Sequence, residues 1–189
     1  LGASDVPPEL AARREWAAAM GGEQRLQRVK AAGTLSVRER LDHLLDPGSF
    51  EEIGSLTHSQ LAELRNRTPA DGTVTGTGTI EGRTVFVSAD DPTVLAGTRG
   101  RIAEFKRERL AELAIAERRP FICLSEAGAA RLQETRGAIS AGLGVGFEQH
   151  IRMSGLIPQV SVMLGPAFGG PPSLARRVIS LRWLGEPAT

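Results

Sequence analysis

The sequence predicts an α/β fold that is preceded by a helical N-terminal arm. The first observation is a series of helical patterns with clear start and stop signals before residue 46. The second is a change of period after residue 72, where short runs of β-branched residues alternate with helical patterns. The third is a pair of such runs separated by Glu81 and Gly82 alone, which is typical of a β-hairpin.

Three helices are predicted in the first part of the chain. An alanine-rich segment over residues 9–20 follows two prolines, which tolerate the first turn of a helix, and Gly21 ends it. A second helix is expected over about residues 23–32, before the next glycine. Ser36 and Glu39 form a capping box, in which the hydroxyl and the carboxylate each accept a hydrogen bond from an exposed amide. The third helix therefore begins there and ends at a Pro-Gly turn.

The remainder of the chain alternates between strands and helices. Residues 99–118 carry apolar side chains at roughly helical spacing, which predicts a long amphipathic helix whose charged face meets solvent or another subunit. A further helical segment is expected from about residue 129. Strands are predicted at residues 73–80, 83–88, 120–124 and 159–164, and the last of these leads into a glycine-rich turn.

Composition places the chain among ordinary globular proteins. Its 189 residues suffice for one sizeable core, and 22 Asp and Glu nearly balance 23 Lys and Arg, so nothing favours nucleic acid or a membrane as partner. No segment is apolar over the ~20 residues needed to cross a bilayer. The single cysteine, Cys123, excludes an internal disulfide and a multi-cysteine zinc site. We expect it to be a small buried side chain in a cytoplasmic protein.

Five motifs follow one another at sensible spacing within residues 21–170. They are RERLDHLLDPGSFEE at 38–52, the Asp-Gly pair and hairpin at 71–87, DPTVLAG at 91–97, EAGAARLQE at 126–134, and SGLIPQVS running on to GPAFGG over 154–170. In this order they resemble the β subunits of propionyl-CoA and acetyl-CoA carboxylases, which are the carboxyltransferase subunits of biotin-dependent acyl-CoA carboxylases. The single cysteine excludes the relatives that carry a four-cysteine zinc ribbon.

The resemblance implies a crotonase-like fold of repeated strand–strand–helix units over residues 36–170, with the arm at residues 1–35 and an atypical tail at 171–189. It implies transfer of a carboxyl group from carboxybiotin to the α-carbon of acetyl-CoA or propionyl-CoA. Biotin would arrive on a carrier that works with a biotin carboxylase subunit, and the family assembles as large oligomers. A biotin-dependent acyl-CoA decarboxylase subunit, which runs this chemistry backwards, is one alternative. A non-catalytic interaction subunit or gene remnant is the other.

Gly169 and Gly170 are the candidate catalytic residues. They follow a predicted strand and are expected to open a helix, where backbone N–H groups and the helix dipole favour negative charge. Carboxylation at the α-carbon of a thioester passes through an enolate, whose oxygen preorganised amides can stabilise. The resemblance implies the same oxyanion-hole role for this pair and places Phe168 at the substrate. The alternative for two glycines is an ordinary turn.

Two further stretches are implied to line the acyl-CoA site. One contains Ala127, Gly128 and Ala129, where alanines replace a serine and a glycine of the family pattern; the alternative is a tight turn that holds Arg131 in a structural ion pair. The other ends at Gly97, for which the alternative is a plain helix entry. In that stretch, alanine precedes Gly97 where the family usually has another glycine.

The tail at residues 171–189 departs from the family pattern. Codons that take the third base of one residue and the first two bases of the next can encode Asp-Phe-Val-Ala-Met-Val-Arg-Gly-Thr-Ser over residues 178–188. The family continues with a similar segment, so we interpret the tail as the product of a frameshift; the alternative is a natural short variant with its own terminal helix. On this interpretation the half that receives biotin is missing, and activity requires a partner chain that supplies it.

Overall fold

A computed structural model describes residues 6–126, 128–137, 146–166 and 179–181 of the chain. Within these residues the fold is one mixed sheet with helices on both faces and a helical arm at its start. The helices are α1 (Pro8–Ala18), α2 (Glu23–Ala31), α3 (Val37–Leu44), α4 (Arg101–Glu117) and α5 (Gly146–Met153). The strands are β1 (Glu51–Glu52), β2 (Thr73–Ile80), β3 (Arg83–Asp90), β4 (Phe121–Ser125), β5 (Gln159–Met163) and β6 (Ile179–Leu181).

The sheet changes from antiparallel to parallel at β3. Strands β1, β2 and β3 pair antiparallel, whereas β3, β4, β5 and β6 pair parallel in the order of the chain. The predicted hairpin is confirmed: Ile80 pairs with Arg83, and both turn residues between them adopt left-handed backbone angles. The Asp46 carboxylate accepts hydrogen bonds from both turn amides, at 3.0 and 2.9 Å, so the end of the third helix fixes this turn.

The predicted capping box at the start of α3 is confirmed. The Glu39 amide donates to the Ser36 hydroxyl at 3.3 Å, and the Ser36 amide donates to the Glu39 carboxylate at 2.8 Å. These two bonds satisfy N–H groups that the first turn of a helix otherwise leaves without a partner. Because α3 begins here, its apolar side chains Val37 and Leu41 reach one face of the sheet.

Two apolar clusters lie on opposite faces of the sheet. On one face, α3 packs over β2, β3 and β4. On the other, α4 and α5 pack over β3 and β4, and Leu110, Phe121 and Met153 are fully buried there. Cys123 belongs to this second cluster, as predicted, and burial raises the pKa of its thiol. No helix in the described ranges has the length and apolar character needed to span a membrane.

The helix expected from about residue 129 is wrong for the described part of that stretch. Backbone bonds tie this stretch to the strand-like Arg99, which forms an isolated parallel bridge with Ala130. One 3₁₀ turn, Leu132–Glu134, follows, and α5 begins only at Gly146. Arg131, whose side chain is buried, has ψ 113°, so its backbone is extended and cannot continue a helix.

Candidate functional site

Three loops follow the parallel strands at one edge of the sheet. Strand β3 ends at Asp90, β4 at Ser125 and β5 at Met163, and the chain then runs into residues 91–100, 126–131 and 164–166. In open α/β sheets, ligands bind in the crevice outside the carboxyl ends of parallel strands. Of the site residues predicted from the sequence, Gly97, Gly128 and Ala129 lie in the first two of these loops.

The first two loops are joined by backbone hydrogen bonds. The Gly128 amide donates to the Ala96 carbonyl at 3.1 Å, and the Arg99 amide donates to the Ala129 carbonyl at 3.3 Å. Gly97 is buried between these contacts, whereas Ala129 is exposed at the rim. A side chain on Gly128 would place its Cβ 2.8 Å from the Thr98 methyl group, so the loops can approach this closely only with glycine there. The structure thus brings together three of the predicted residues, Gly97, Gly128 and Ala129.

The third loop starts against the second. The Leu164 amide donates to the Ser125 carbonyl at 2.9 Å, which continues the pairing of β5 with β4 past the end of the strand. Gly165 then lies against the Glu126 side chain. The predicted residues Ala127, Phe168, Gly169 and Gly170 lie outside the described residues.

Ala96 occupies a backbone conformation that favours glycine. Its φ and ψ are 56° and 35°, in the left-handed region, and its side chain is exposed. In this region alanine is less favourable than glycine by roughly 1–2 kcal/mol in the folded state. Glycine loses more conformational freedom on folding, which offsets about half of that advantage. The left-handed conformation therefore explains sterically why the family pattern usually has glycine at this position.

We expect Ala96→Gly to raise the free energy of unfolding by about 0.5–1 kcal/mol, because it removes the left-handed strain from a residue whose side chain is exposed. Urea denaturation measures the change. The matched control is Ala12→Gly in the exposed face of α1, which is expected to lose about 1 kcal/mol. Equal losses in both variants would contradict the strain at Ala96.

A buried ionic cluster lies behind the first two loops. Arg131 is 1% exposed, and its guanidinium contacts the carboxylates of Asp71 and Glu134, both of which are fully buried. The same guanidinium donates to the Thr98 carbonyl at 2.9 Å, and the Ser59 hydroxyl donates to Glu134 at 2.5 Å. The structural ion pair considered as the alternative for Arg131 is therefore present, and it anchors both loops.

The two carboxylates beside Arg131 have pKa values that move in opposite directions. Burial raises the pKa of Asp71, and the charge of Arg131 opposes that rise without cancelling it. Burial also acts to raise the pKa of Glu134, but hydrogen bonds from Ser59, the Arg101 amide and Arg131 outweigh it and lower the pKa. Glu134 is therefore the carboxylate that the cluster holds most firmly in its charged form.

A second buried ionic cluster fixes the end of β3. Asp90 is 2% exposed and accepts two hydrogen bonds from Arg99, at 3.0 and 2.6 Å. Arg107 of α4 lies 3.9 Å from the same carboxylate. Burial acts to lower the pKa of Arg99, but the charge and hydrogen bonds of Asp90 outweigh it and the pKa is raised. Both guanidinium groups therefore approach the Asp90 carboxylate, and Arg99 also lies 4.0 Å from the Glu104 carboxylate.

The inner face of α4 was missed by the sequence analysis. Phe105 is one of the apolar residues of this helix, yet its side chain is 61% exposed, whereas Lys106 and Arg107 are buried. Lys106 donates to the carbonyls of Ala70 and Thr73 at 2.9 and 2.5 Å, and burial lowers its pKa to about 8. The expectation that the charged residues of this helix face solvent or a subunit is therefore wrong for Lys106 and Arg107.

The helical arm contacts the first loop directly. The Gly21 amide, between α1 and α2, donates to the Thr93 hydroxyl at 2.9 Å, and Arg25 donates to the Thr93 carbonyl at 3.1 Å. That hydroxyl donates in turn to the Asp91 carboxylate at 2.6 Å. Burial raises the pKa of Asp91 although Thr93 donates two hydrogen bonds to it. A Cβ on Gly21 would lie 2.0 Å from the Thr93 carbonyl oxygen, so the arm fits this loop only with glycine there.

The histidines supply no metal site to this edge. His150 lies in α5, shares a 2.7 Å hydrogen bond with the Gln159 side chain, and stacks edge-on against Phe121. Burial lowers its pKa to about 4, so the ring is neutral at physiological pH. Within the described ranges, no group of three or more His, Cys, Asp and Glu residues is arranged to hold a metal ion.

Comparison with known proteins agrees with this geometry. A family model described as the carboxyl transferase domain matches residues 28–181. The chain belongs to the carboxyl transferase domain family. The match extends past Gly170, where the sequence motifs end, to residues 179–181, and these form β6 beside β5.

Curated relatives of this carboxyl transferase domain are carboxylase and decarboxylase subunits. It is 38% identical over 169 residues to the propionyl-CoA carboxylase beta chain of Roseobacter denitrificans, with 88% of this chain and 33% of the relative covered. It is 37% identical over 153 residues to the methylmalonyl-CoA decarboxylase subunit alpha of Veillonella parvula, with 79% and 30% covered. The domain thus spans about a third of the length of the relatives it matches.

Solved structures confirm the crotonase-like fold. The transcarboxylase 12S subunit, a hexamer solved with methylmalonyl-coenzyme A and methylmalonic acid bound, superposes with a TM-score of 0.84 at 35% identity. The superposition covers 92% of this carboxyl transferase domain and 35% of that chain. The mixed sheet described above therefore corresponds to about a third of that solved chain.

Proposed function

We propose that this chain is the acyl-CoA-binding part of the carboxyltransferase subunit of a biotin-dependent acyl-CoA carboxylase. It would move a carboxyl group from carboxybiotin to the α-carbon of acetyl-CoA or propionyl-CoA. The observation that carries the proposal is the convergence of the three motif-bearing loops at the carboxyl edge of the parallel strands. Family membership supports the same assignment.

Each loop has its own part in the proposed reaction. The first two, near Gly97 and Ala129, form a wall for the acyl-CoA, because their mutual hydrogen bonds and the buried Arg131 behind them hold the backbone rigid. We assign to the amides of Gly169 and Gly170 the stabilisation of the enolate oxygen that forms when the α-carbon loses its proton. We likewise assign Phe168, Ala127 and Gly128 to the substrate surface.

The carboxyl group comes from outside this chain. Carboxybiotin on a carrier protein would supply it, and the biotin nitrogen that gives up the carboxyl group would take the proton that the α-carbon loses. We propose that the relatives' remaining length, supplied by a partner chain, completes the biotin side of the site and that activity requires it. A biotin carboxylase subunit and a larger oligomer follow from the same assignment.

Titration calorimetry with propionyl-CoA and acetyl-CoA tests the acyl-CoA assignment. We expect the chain to bind at least one of them, and Gly170→Val to raise the Kd at least tenfold, because the side chain blocks approach to the proposed oxyanion amides. Ala18→Val, at the exposed end of α1, is the matched control and is expected to bind like the parent. A folded chain that binds neither thioester would overturn the proposal.

The decarboxylase direction is the second candidate. The Veillonella parvula decarboxylase subunit is about as similar to this chain as the propionyl-CoA carboxylase beta chain is, at 37% against 38% identity. Both reactions pass through the same enolate, so the three-loop site serves either direction. Assays of the complex complemented with a biotin carboxylase and a biotin carrier separate the two, with methylmalonyl-CoA in one arm and propionyl-CoA, bicarbonate and ATP in the other.

A further inference from the structure

We propose that the helical arm sets the shape of the acyl-CoA wall, and that Thr93 is the positioning residue through which it does so. The proposal rests on the function assigned above, because it concerns the first of the two loops that form this wall. Thr93 is not proposed to touch the substrate. Its role is to hold the chain that leads to Ala96 and Gly97 in the conformation that pairs with the second loop.

The first loop contains a strained run of backbone. Leu95 and Ala96 have φ angles of 46° and 56°, and Gly97 follows with a φ of 66°. Left-handed angles are unfavourable for residues that carry a Cβ, and such strain persists only where the surrounding structure imposes it. This run must therefore be held on both sides.

The second loop holds the far side of the run. The Ala96 carbonyl accepts a hydrogen bond from the Gly128 amide at 3.1 Å, and the Thr98 carbonyl accepts one from Arg131 at 2.9 Å. The first of these bonds requires the Ala96 carbonyl to face the second loop. The pairing of the two loops thus depends on the left-handed turn at Leu95 and Ala96.

The arm holds the near side of the run at Thr93. This residue is 3% exposed, and its hydroxyl accepts a hydrogen bond from the Gly21 amide at 2.9 Å while it donates to the Asp91 carboxylate at 2.6 Å. Arg25 of α2 donates to the Thr93 carbonyl at 3.1 Å. Two groups of the arm therefore fix both the side chain and the main chain of one loop residue.

Packing does not account for the position of the arm over this loop. None of the side chains of α2 is buried, and α1 buries Ala17 alone. The contact at Gly21 is one of backbone against backbone, since a Cβ there would collide with the Thr93 carbonyl. A shift of the arm is therefore passed directly to the main chain of the loop.

Hydrogen exchange at single amides tests the positioning role without acyl-CoA. Thr93→Val removes the hydroxyl and keeps the shape of the side chain, and we expect it to speed exchange of the Gly97 and Gly128 amides at least about tenfold. Val85→Ala, which weakens the buried core at the opposite end of β3, is the control. It is expected to leave both amides unchanged, because opening of the loops does not break contacts of Val85.

Acyl-CoA binding tests the consequence for the proposed site. We expect Thr93→Val to raise the Kd for propionyl-CoA about tenfold, because the apparent Kd rises as the fraction of chains with paired loops falls. Thr93→Ser keeps the hydroxyl and is expected to stay within about threefold of the parent. Arg25→Met, on the exposed surface of α2, is expected to raise the Kd about threefold to fivefold. Arg28→Met, the same change in the next turn, is the matched control and is expected to bind like the parent.

Three results would decide against parts of this assignment. Unchanged exchange of the Gly97 and Gly128 amides in Thr93→Val, or equal acceleration in Val85→Ala, would overturn the positioning role. Equal losses of affinity in Thr93→Ser and Thr93→Val would overturn it as well, since the hydroxyl would then not be the cause. If the parent chain binds no propionyl-CoA while Thr93→Val speeds exchange at both amides, the proposed function fails and the hold of the arm on the first loop stands.

Discussion

Replacing Arg131 with methionine is expected to lower the free energy of unfolding by about 3–5 kcal/mol. The guanidinium is 1% exposed and contacts two fully buried carboxylates, Asp71 and Glu134, so its removal leaves two negative charges without a cation. Methionine fills a similar volume, and the loss therefore reports charge and hydrogen bonds and not a cavity. Urea denaturation followed by circular dichroism measures it.

The control for Arg131→Met is the same change at an exposed pair. Arg109 and Glu112 on α4 are 58% and 45% exposed, and Arg109→Met is expected to change stability by less than about 0.5 kcal/mol. At acidic pH the difference in stability loss between Arg131→Met and Arg109→Met is expected to shrink, since protonation of Asp71 and Glu134 removes the charges that Arg131 compensates. A loss below about 1 kcal/mol in Arg131→Met at neutral pH would show that the cluster relaxes or admits water.

The local signals in the sequence were sufficient for the hairpin and the capping box. Glu81-Gly82 between β-branched runs permits little besides a tight turn, and Ser36 with Glu39 has an equally local cause. The three motif-bearing stretches each follow a short apolar strand. Once those strands pair in parallel, their carboxyl ends meet at one edge, so the meeting of Gly97 with Gly128 follows from topology.

Buried charge is the feature that periodicity could not reveal. A charged residue on a helix normally indicates solvent, yet Lys106 and Arg107 face inwards because β2 and β3 present carbonyls and the Asp90 carboxylate to them. The partners lie far away in the chain, and no local pattern joins them. The extended path of residues 128–131 has the same origin, since burying Arg131 next to Asp71 overrides a helical preference.

Replacing Asp90 with asparagine is expected to lower the free energy of unfolding by about 3 kcal/mol. Asp90 is the carboxylate that both Arg99 and Arg107 approach, and all three side chains are at most 7% exposed. Asparagine keeps the size and one acceptor oxygen but removes the negative charge that Arg107 approaches, and it leaves Arg99 with the Glu104 carboxylate, 4.0 Å away. Because Arg99 also begins the bridge to Ala130, propionyl-CoA binding is expected to weaken together with stability.

Two further variants separate charge compensation from a general intolerance of substitution at Asp90. Asp42→Asn, an exposed carboxylate in α3, is expected to change stability by less than about 0.5 kcal/mol. Asp90→Asn combined with Arg99→Met removes one of the two cations beside residue 90. The double variant is therefore expected to lose less free energy of unfolding than the sum of the two single losses. Additive losses would mean that Asp90 and Arg99 stabilise the fold independently. In that case Arg107 becomes the main partner of the carboxylate, and Arg107→Met would be the variant that shows coupling.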